Sequence, residues 1–356
     1  MTQNASGGGS SPESTAGGGA GSALQGGDAL LQVRGLRMHY PVRGGVLGGR
    51  IGSIRAVDGV SFSLRKGETL GLVGESGCGK STLARALTRL ETPTAGRVLF
   101  EGKDIASASG AELFRLRREI QMIFQDPYSS LNPRMTVGEI IREPLAVHRL
   151  GTKEEQLGKV RDLLETVGLG ADMVGRYPHE FSGGQRQRIG VARALALDPK
   201  LVIADEPVSA LDVSVQSQVL NLMVRLQRER GLTYVFITHD LSVVEHVSDT
   251  VAIMYLGRIV EQGPVDQIFR SPAHPYTRAL LEAIPVPDPR QRKDEAPVKG
   301  ETPSPVSPPP GCPFHPRCHH AIAECRSTVP ELEVMETSGA DPAHAHTAAC
   351  IRRHEI

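Results

Sequence analysis

Leu70-Gly71-Leu72-Val73-Gly74-Glu75-Ser76-Gly77-Cys78-Gly79-Lys80-Ser81-Thr82 is the stretch from which the rest of the chain is read. Leu70 to Val73 is a short apolar run with the length of a buried strand. Gly74 to Ser81 then satisfies G-x-x-x-x-G-K-[ST] at every fixed position. The glycines let backbone N–H groups curl around an anion, and a helix expected over residues 81–90 adds its positive end. In such a loop Lys80 reaches the outer phosphates of a nucleotide and the Ser81 hydroxyl ligates Mg2+. A glycine-rich turn that fits by chance is the competing reading; the strand before and the helix after weigh against it.

A second site lies further on. Leu201-Val202-Ile203-Ala204-Asp205-Glu206-Pro207 reads as a buried strand ending in two acids. Parallel sheets present ligands at the carboxyl ends of their strands, so both acids are expected at the crevice that holds the phosphate loop. Asp205 is placed to hold Mg2+ through water, and Glu206 to orient and deprotonate an attacking water. Alone, the pair would read as a solvated strand terminus; beside a matched phosphate loop that reading weakens.

Around these two sites, patterned sequence begins near Leu30 and alternates strand-like with helix-like segments to about Ile284. Val57, Val60, Phe62 and Leu64 suggest a half-buried strand closed by a Lys66–Gly67 turn. The alternation argues for an α/β core with a largely parallel sheet over residues 29–284. Residues 1–28 are rich in Gly, Ser and Ala and too poor in apolar surface to offset their ordering entropy, so a disordered tail is expected. Prolines crowd residues 285–310, as in an extended linker, and a short Cys- and His-rich segment fills 311–356. No internal repeat is visible, so one nucleotide-binding unit is expected.

The chain has 356 residues with 39% hydrophobic content, enough to bury a sizeable core. Forty basic and 40 acidic residues cancel, Trp is absent and aromatics are 4%, which argues against a nucleic-acid partner. Runs such as Leu201–Ala204 and Tyr234–Thr238 fall far short of the ~20 residues of a spanning helix. The N-terminus has neither the basic nor the apolar region of a signal peptide. A cytoplasmic protein, held at any membrane by other chains, is therefore expected.

Phe181-Ser182-Gly183-Gly184-Gln185 opens a further helix, with Ser182 suited to cap it and two glycines allowing close approach to an anion. A simple capped helix is the alternative for this piece in isolation. With it, the chain resembles the ABC ATPase family, whose LSGGQ signature stands here as FSGGQ with Phe181 for the usual Leu. The resemblance implies that Ser182, Gly183, Gly184 and Gln185 contact ATP held by the phosphate loop (Gly74, Glu75, Ser76, Gly77, Cys78, Gly79, Lys80, Ser81, Thr82) of a second subunit. Two chains would then sandwich two ATP molecules.

Further positions resemble the family's motifs. Gln125, in MIFQDP, resembles the loop glutamine that senses Mg2+ and the transport subunit. Ser209-Ala210-Leu211-Asp212 resembles the dimer-contact segment, and Asp212 is counted with the nucleotide-binding positions. His239, after the strand-like TYVFIT, resembles the histidine that touches the γ-phosphate. Tyr40 resembles the aromatic that stacks on adenine, although a glycine-rich insert (residues 42–53) separates it from the next strand and core packing is its alternative. The fold implied is an α/β, RecA-like P-loop NTPase core with an antiparallel β-subdomain. It also includes an α-helical signature subdomain over about residues 104–190 and a small Cys-rich C-terminal extension. Lys80, Ser81, Asp205, Glu206 and His239 supply every residue type that hydrolysis needs, so an active ATPase is expected.

QDPYSSLNPRMTVGEII (residues 125–141), HEFSGGQRQRI (179–189) and SPAHPYTRALLEAIP (271–285) resemble the oligopeptide and dipeptide importer ATPases. The last is also shared with their nickel-importing relatives. That resemblance implies a peripheral subunit on the cytoplasmic face of the membrane, docked on two permeases. It also implies an extracellular peptide-binding protein and a second, paralogous ATPase. The long opening YPVRGGVLGGRIGSIRAVDGVSF (residues 40–62) leans toward the F-type over the D-type subunit. ABC ATPases of DNA repair or the ribosome usually carry long coiled-coil insertions or tandem units, and the segment between Lys80 and Ser182 is too short for one. A nucleotide-binding scaffold without turnover is opposed by Glu206 and His239, and exporters commonly fuse the ATPase to membrane spans.

Cys312, Cys318, Cys325 and Cys350 remain, spaced C-x5-C-x6-C-x24-C. In a cytosolic chain stable disulfides are disfavoured, leaving a [4Fe–4S] cluster, a zinc site or unligated thiols. His315, His319 and His320 compete as ligands. The resemblance ranks the cluster first, since some peptide-importer ATPases hold one there. Cys78, inside the phosphate loop, reads as a small packing residue.

Overall fold

A computed structural model describes residues 29–44, 49–126, 128–284, 300–335 and 344–355. The tail expected over residues 1–28 and the 285–299 part of the linker lie outside the described residues. The first two strands, β1 (Ala29–Gly44) and β2 (Gly49–Arg65), form a long antiparallel hairpin in which Tyr40 pairs with Ile54 and Gly44 with Gly49. The glycine-rich run that reads as an insert thus continues both strands outward, because pairing is a backbone property that composition does not forbid. β4 (Ala95–Phe100) and β5 (Lys103–Asp104) complete a four-stranded antiparallel sheet in the order β2-β1-β4-β5.

The larger sheet carries the chemistry. Its parallel strands are β3 (Thr69–Val73), β6 (Ile120–Ile123), β7 (Leu201–Asp205), β8 (Thr233–Thr238) and β9 (Thr250–Tyr255). β3, β7, β8 and β9 are buried along their whole length, as strands covered on both faces must be, and read as continuous apolar runs for that reason. β10 (Arg258–Pro264), β11 (Glu333–Val334) and β12 (Thr347–Ala348) join antiparallel, giving the order β11-β12-β10-β9-β3-β8-β7-β6. The C-terminal segment therefore completes the edge of the same sheet.

Nine helices connect these strands among the described residues. α1 (Lys80–Leu87) follows the phosphate loop and buries Leu83, Ala84, Ala86 and Leu87 in the core between the two sheets. α2 (Gly110–Glu119), α3 (Val137–Val147), α4 (Lys153–Thr166) and α5 (Gly183–Leu195) follow, with β6 between α2 and α3. α3, α4 and α5 start at Thr136, Thr152 and Ser182, each in a capping box with Glu139, Glu155 and Gln185. They pack around one apolar cluster that includes Ile141, Val160, Leu164 and Ile189. α6 (Val213–Arg230) and α7 (Leu241–Val247) cross back between strands. α8 (Val265–Arg270) and α9 (Pro275–Glu282) pack on the β9–β10 side, where Tyr255, Tyr276 and Phe314 form an aromatic group.

Candidate functional site

Strand register brings the site together. Val73 lies level with Thr238, Asp205 with Ile237 and Ile123 with Ala204, so the loops after β3, β6, β7 and β8 open at one edge. That is the carboxyl-end crevice expected of a parallel sheet. There a cavity of about 590 Å3 is lined by the phosphate loop from Gly74 to Thr82 together with Gln125, Glu206 and His239.

The loop's shape depends on one residue in particular. Gly79 has φ +109°, and a Cβ there would meet the Ala56 carbonyl oxygen at 1.9 Å, so only glycine fits. Lys80 is buried and donates from Nζ to the Gly74 carbonyl at 2.7 Å and the Glu75 carbonyl at 3.0 Å. Its ammonium is thus drawn back over the mouth of the cradle. A buried cation, a glycine-rich loop backbone and a helix start behind it match the needs of a polyphosphate.

The Ser81 hydroxyl donates to Asp205 Oδ1 at 3.2 Å. Burial, with Glu206 adding to it, pushes the Asp205 carboxyl above the usual carboxylate range, while Ser81 and Lys80 pull the other way. A buried acid facing a hydroxyl oxygen is the hard-oxygen donor set that suits Mg2+. Glu206 has φ +45°, a conformation rare outside glycine, and its side chain is 14% exposed. Gln125 Nε2 donates to Glu206 Oε2 at 2.9 Å, and His239 Nδ1 lies 3.4 Å from Oε1. The carboxylate is therefore tied on both oxygens at the cavity while Asp205 stays behind it. Cys78 is buried and burial raises its thiol, so it packs as an unreactive side chain.

Six expected residues lie apart from this cavity. Ser182 caps α5, its hydroxyl accepting from the Gln185 N–H at 3.3 Å; neither these two nor Gly183 and Gly184 line the cavity. Asp212, at the start of α6, is likewise outside it. Tyr40 packs against the core of the antiparallel sheet, and its hydroxyl donates to Glu91. Burial, then Glu91, pushes that phenol up to about 12. Tyr40 pairs in the sheet with Ile54, which lines the cavity, and lies beside Thr82 of the phosphate loop.

Sequence reading missed part of the lining. Ile54, Arg55, Ala56, Leu256, Gly257, Leu280 and Pro305 also face the cavity. Apart from Arg55 nothing in their types marks them, since apolar and backbone surfaces carry no chemical signature.

In the C-terminal segment, Cys312, Cys318, Cys325 and Cys350 line one cavity of about 20 Å3 together with His315 and His320. Burial pushes the Cys312 thiol up to about 11, and the neighbouring cysteines add to the shift. The donor types suit a cluster or zinc, but among the described residues no group of three or more His, Cys, Asp or Glu stands in metal-holding geometry. Among the same residues no helix is long and apolar enough to cross a membrane.

Comparison with known proteins places this geometry. The chain matches the ABC transporter family over residues 57–209 and the oligopeptide/dipeptide transporter C-terminal region over residues 260–325. It is 56% identical over 322 residues to a probable peptide ABC transporter ATP-binding protein, y4tS, of Sinorhizobium fredii, covering 90% of this chain and 91% of that one. Against the oligopeptide transport ATP-binding protein AppF of Bacillus subtilis the identity is 52% over 326 residues, covering 91% and 97%. Among solved structures, the dimeric post-hydrolysis state of the ATP-binding cassette MJ0796, bound to ADP and Pi, aligns with TM-score 0.59 at 28% identity. That alignment covers 66% of this chain and 98% of the other. The cbiO1 protein of Clostridium perfringens, part of the cbiONQ transporter complex, aligns with the same TM-score at 30% identity, covering 68% and 91%. With a hydrolytic set gathered at one crevice and relatives matched over nearly their whole length, the chain belongs to the ATP-binding, ATP-hydrolysing subunits of ABC transporters.

Proposed function

We propose that this subunit energises the import of di- and oligopeptides by closing an ATP-sandwiched dimer on two membrane permeases. The observation that carries the solute class is the match of residues 260–325 to the oligopeptide/dipeptide transporter C-terminal region, in a chain whose close relatives are named as peptide transport proteins. The placement of Ser182–Gln185 outside the chain's own cavity supports the sandwich, because these residues then await a nucleotide held by another subunit.

In the proposed reaction Glu206 takes a proton from a water lined up with the γ-phosphorus. The new O–P bond forms as the bond to the β-phosphate oxygen breaks, leaving ADP and phosphate. Gln125 and His239 hold the Glu206 carboxylate for that transfer, and Lys80 offsets charge on the outer phosphates. Mg2+, entering with the nucleotide, would neutralise phosphate charge, held by Ser81 and Gln125 and, through water, by Asp205. Tyr40 is assigned to the adenine side through its neighbour Thr82, and Asp212 to the dimer contact. Gln125-region contacts pass closure to the permeases.

The partners in this reading are a second, paralogous ATPase of the D-type to this F-type subunit, two permeases and an extracellular peptide-binding protein. The subunit sits peripherally on the cytoplasmic face and has no nucleic-acid partner. In domain terms the 29–284 body is the motor, with a helical part near 104–190, and 311–356 is the Cys-rich extension. A [4Fe–4S] cluster on Cys312, Cys318, Cys325 and Cys350, with zinc as the alternative, belongs to the same proposal and carries no catalytic step. Iron and sulfide both absent after anaerobic purification would rule out the cluster.

The test of function is uptake of labelled di- and oligopeptides by cells whose sole copy is wild type or Glu206→Gln. Loss of uptake in the variant is expected. Unchanged peptide uptake would move the solute to another class such as nickel and leave the ATPase assignment standing.

A further inference from the structure

Residues 271–284 and the C-terminal segment converge on a single residue of the phosphate loop. The Glu75 backbone N–H donates to the Tyr276 hydroxyl at 3.0 Å. Its carboxylate accepts from Arg317 Nη1 at 2.9 and 3.1 Å and from the Thr302 hydroxyl at 2.6 Å. Thr302 lies within the proline-rich stretch and Arg317 just past it, both more than two hundred residues from Glu75 in sequence.

This convergence is built on buried supports. Arg317 is 8% exposed at its side chain, with its guanidinium 5.9 Å from the Tyr255 ring centroid and Nη1 within 3.4 Å of the Tyr255 hydroxyl. Tyr276 packs on Tyr255 and Phe314, at 4.7 and 5.3 Å between centroids. The start of α9 is fixed by Glu261, fully buried, which accepts from the Ala273 and His274 N–H groups and pairs with His346 of the C-terminal segment. The SPAHPYTRALLEAIP stretch, prominent in sequence and silent in the hydrolytic reaction, thus touches the catalytic loop through Tyr276.

A carboxylate on the second residue of an anion-binding loop is a liability. Glu75 lines the nucleotide cavity, where polyphosphate brings several negative charges. Left unpaired, it would oppose them at short range across a partly desolvated space. Arg317 removes that opposition, and its Nη1, shared between both Glu75 oxygens, also holds the loop's first turn.

We propose that Arg317 is a positioning residue of the nucleotide site, neutralising Glu75 and bracing the phosphate loop, so that the C-terminal segment forms part of the ATP-binding machinery. A purely structural role for the Arg317 contact would hold the segment in place without changing charge at the phosphates. The two roles separate in a double-variant experiment. It rests on nucleotide binding by the family's site: if wild type failed to bind Mg-ADP, that reading itself would fall before any variant was compared.

The measurement is calorimetric titration of Mg-ADP into the full-length chain. Arg317→Met is expected to raise Kd about tenfold, the scale of one uncompensated charge near the phosphates in a protein-like dielectric. Glu75→Gln added to Arg317→Met is expected to return Kd to within about threefold of wild type, because the opposing charge is gone. Arg317→Lys, which keeps the charge, is expected to stay within the same range. The proposal is overturned if Arg317→Met binds like wild type, if the double variant binds as weakly as the single one, or if Lys loses as much as Met. Should Arg317→Met fail to fold, Arg317→Gln takes its place with the same expectations.

Discussion

Glu261 offers the sharpest stability test, because an acid with no exposed surface must be satisfied by its partners. Oε1 accepts from the Ala273 N–H at 2.7 Å and sits 2.7 Å from His346 Nε2; Oε2 accepts from the His274 N–H at 3.0 Å. Glu261→Gln keeps the shape and replaces one acceptor by a donor. In its better orientation the amide faces only the His274 N–H, leaving one buried donor unmet at about 1–3 kcal/mol. The two remaining bonds lose their charge assistance, bringing the total to about 3 kcal/mol. At about 2–4 °C per kcal/mol, Tm should fall by about 6–12 °C, nearer the lower figure for a chain this long. Differential scanning calorimetry of the full chain measures it. Because His346 anchors the C-terminal segment, limited proteolysis should also cut beyond residue 299 sooner in the variant. A Tm change under about 2 °C would refute the claim that this carboxylate holds α9 and β12 together.

Gly79→Ala should weaken Mg-ADP binding about 100-fold: positive φ alone costs about 1–2 kcal/mol, and the Ala56 carbonyl must also move from 1.9 Å. Titration with secondary structure monitored in parallel checks it, and near-normal affinity would show that the loop tolerates a Cβ. His274 is fully buried and its pKa is lowered by that burial to about 4, against an ordinary 6.5, although Glu261 pulls it back up. The neutral form is the one the fold accepts, so its stabilising contribution is present above pH 6.5 and is lost as pH falls from 6.5 toward 4. The contribution at stake is about 3 kcal/mol. In His274→Asn, which retains a cap acceptor for Tyr276, urea midpoints should fall less steeply over that interval; equal slopes would contradict the assignment.

How much was legible follows from where each signal resides. The phosphate loop, the Asp205–Glu206 strand end and the Ser182 cap are local patterns: a few adjacent residues fix backbone shape and chemistry together. The meeting of the first two at one crevice was legible too, because parallel strands present their carboxyl ends on one side. Gln125 and His239 needed the family resemblance, since a lone Gln or His carries no pattern. The extent of β1 and β2 was hidden because a glycine-rich run looks like a loop while its backbone still pairs. Glu261 was invisible: an acid in a strand reads as solvent-facing, and its partner His346 lies 85 residues away. Arg317 was hidden because its partner Glu75 lies 242 residues away.

The central claim is that Glu206 performs the proton transfer in ATP hydrolysis. It is tested by steady-state ATP turnover of the assembled transporter carrying Glu206→Gln, with Mg-ATP affinity measured on the same sample. The account predicts that turnover falls by about 10²–10⁴ while affinity stays near wild type. Turnover within about fivefold of wild type at unchanged affinity would contradict it.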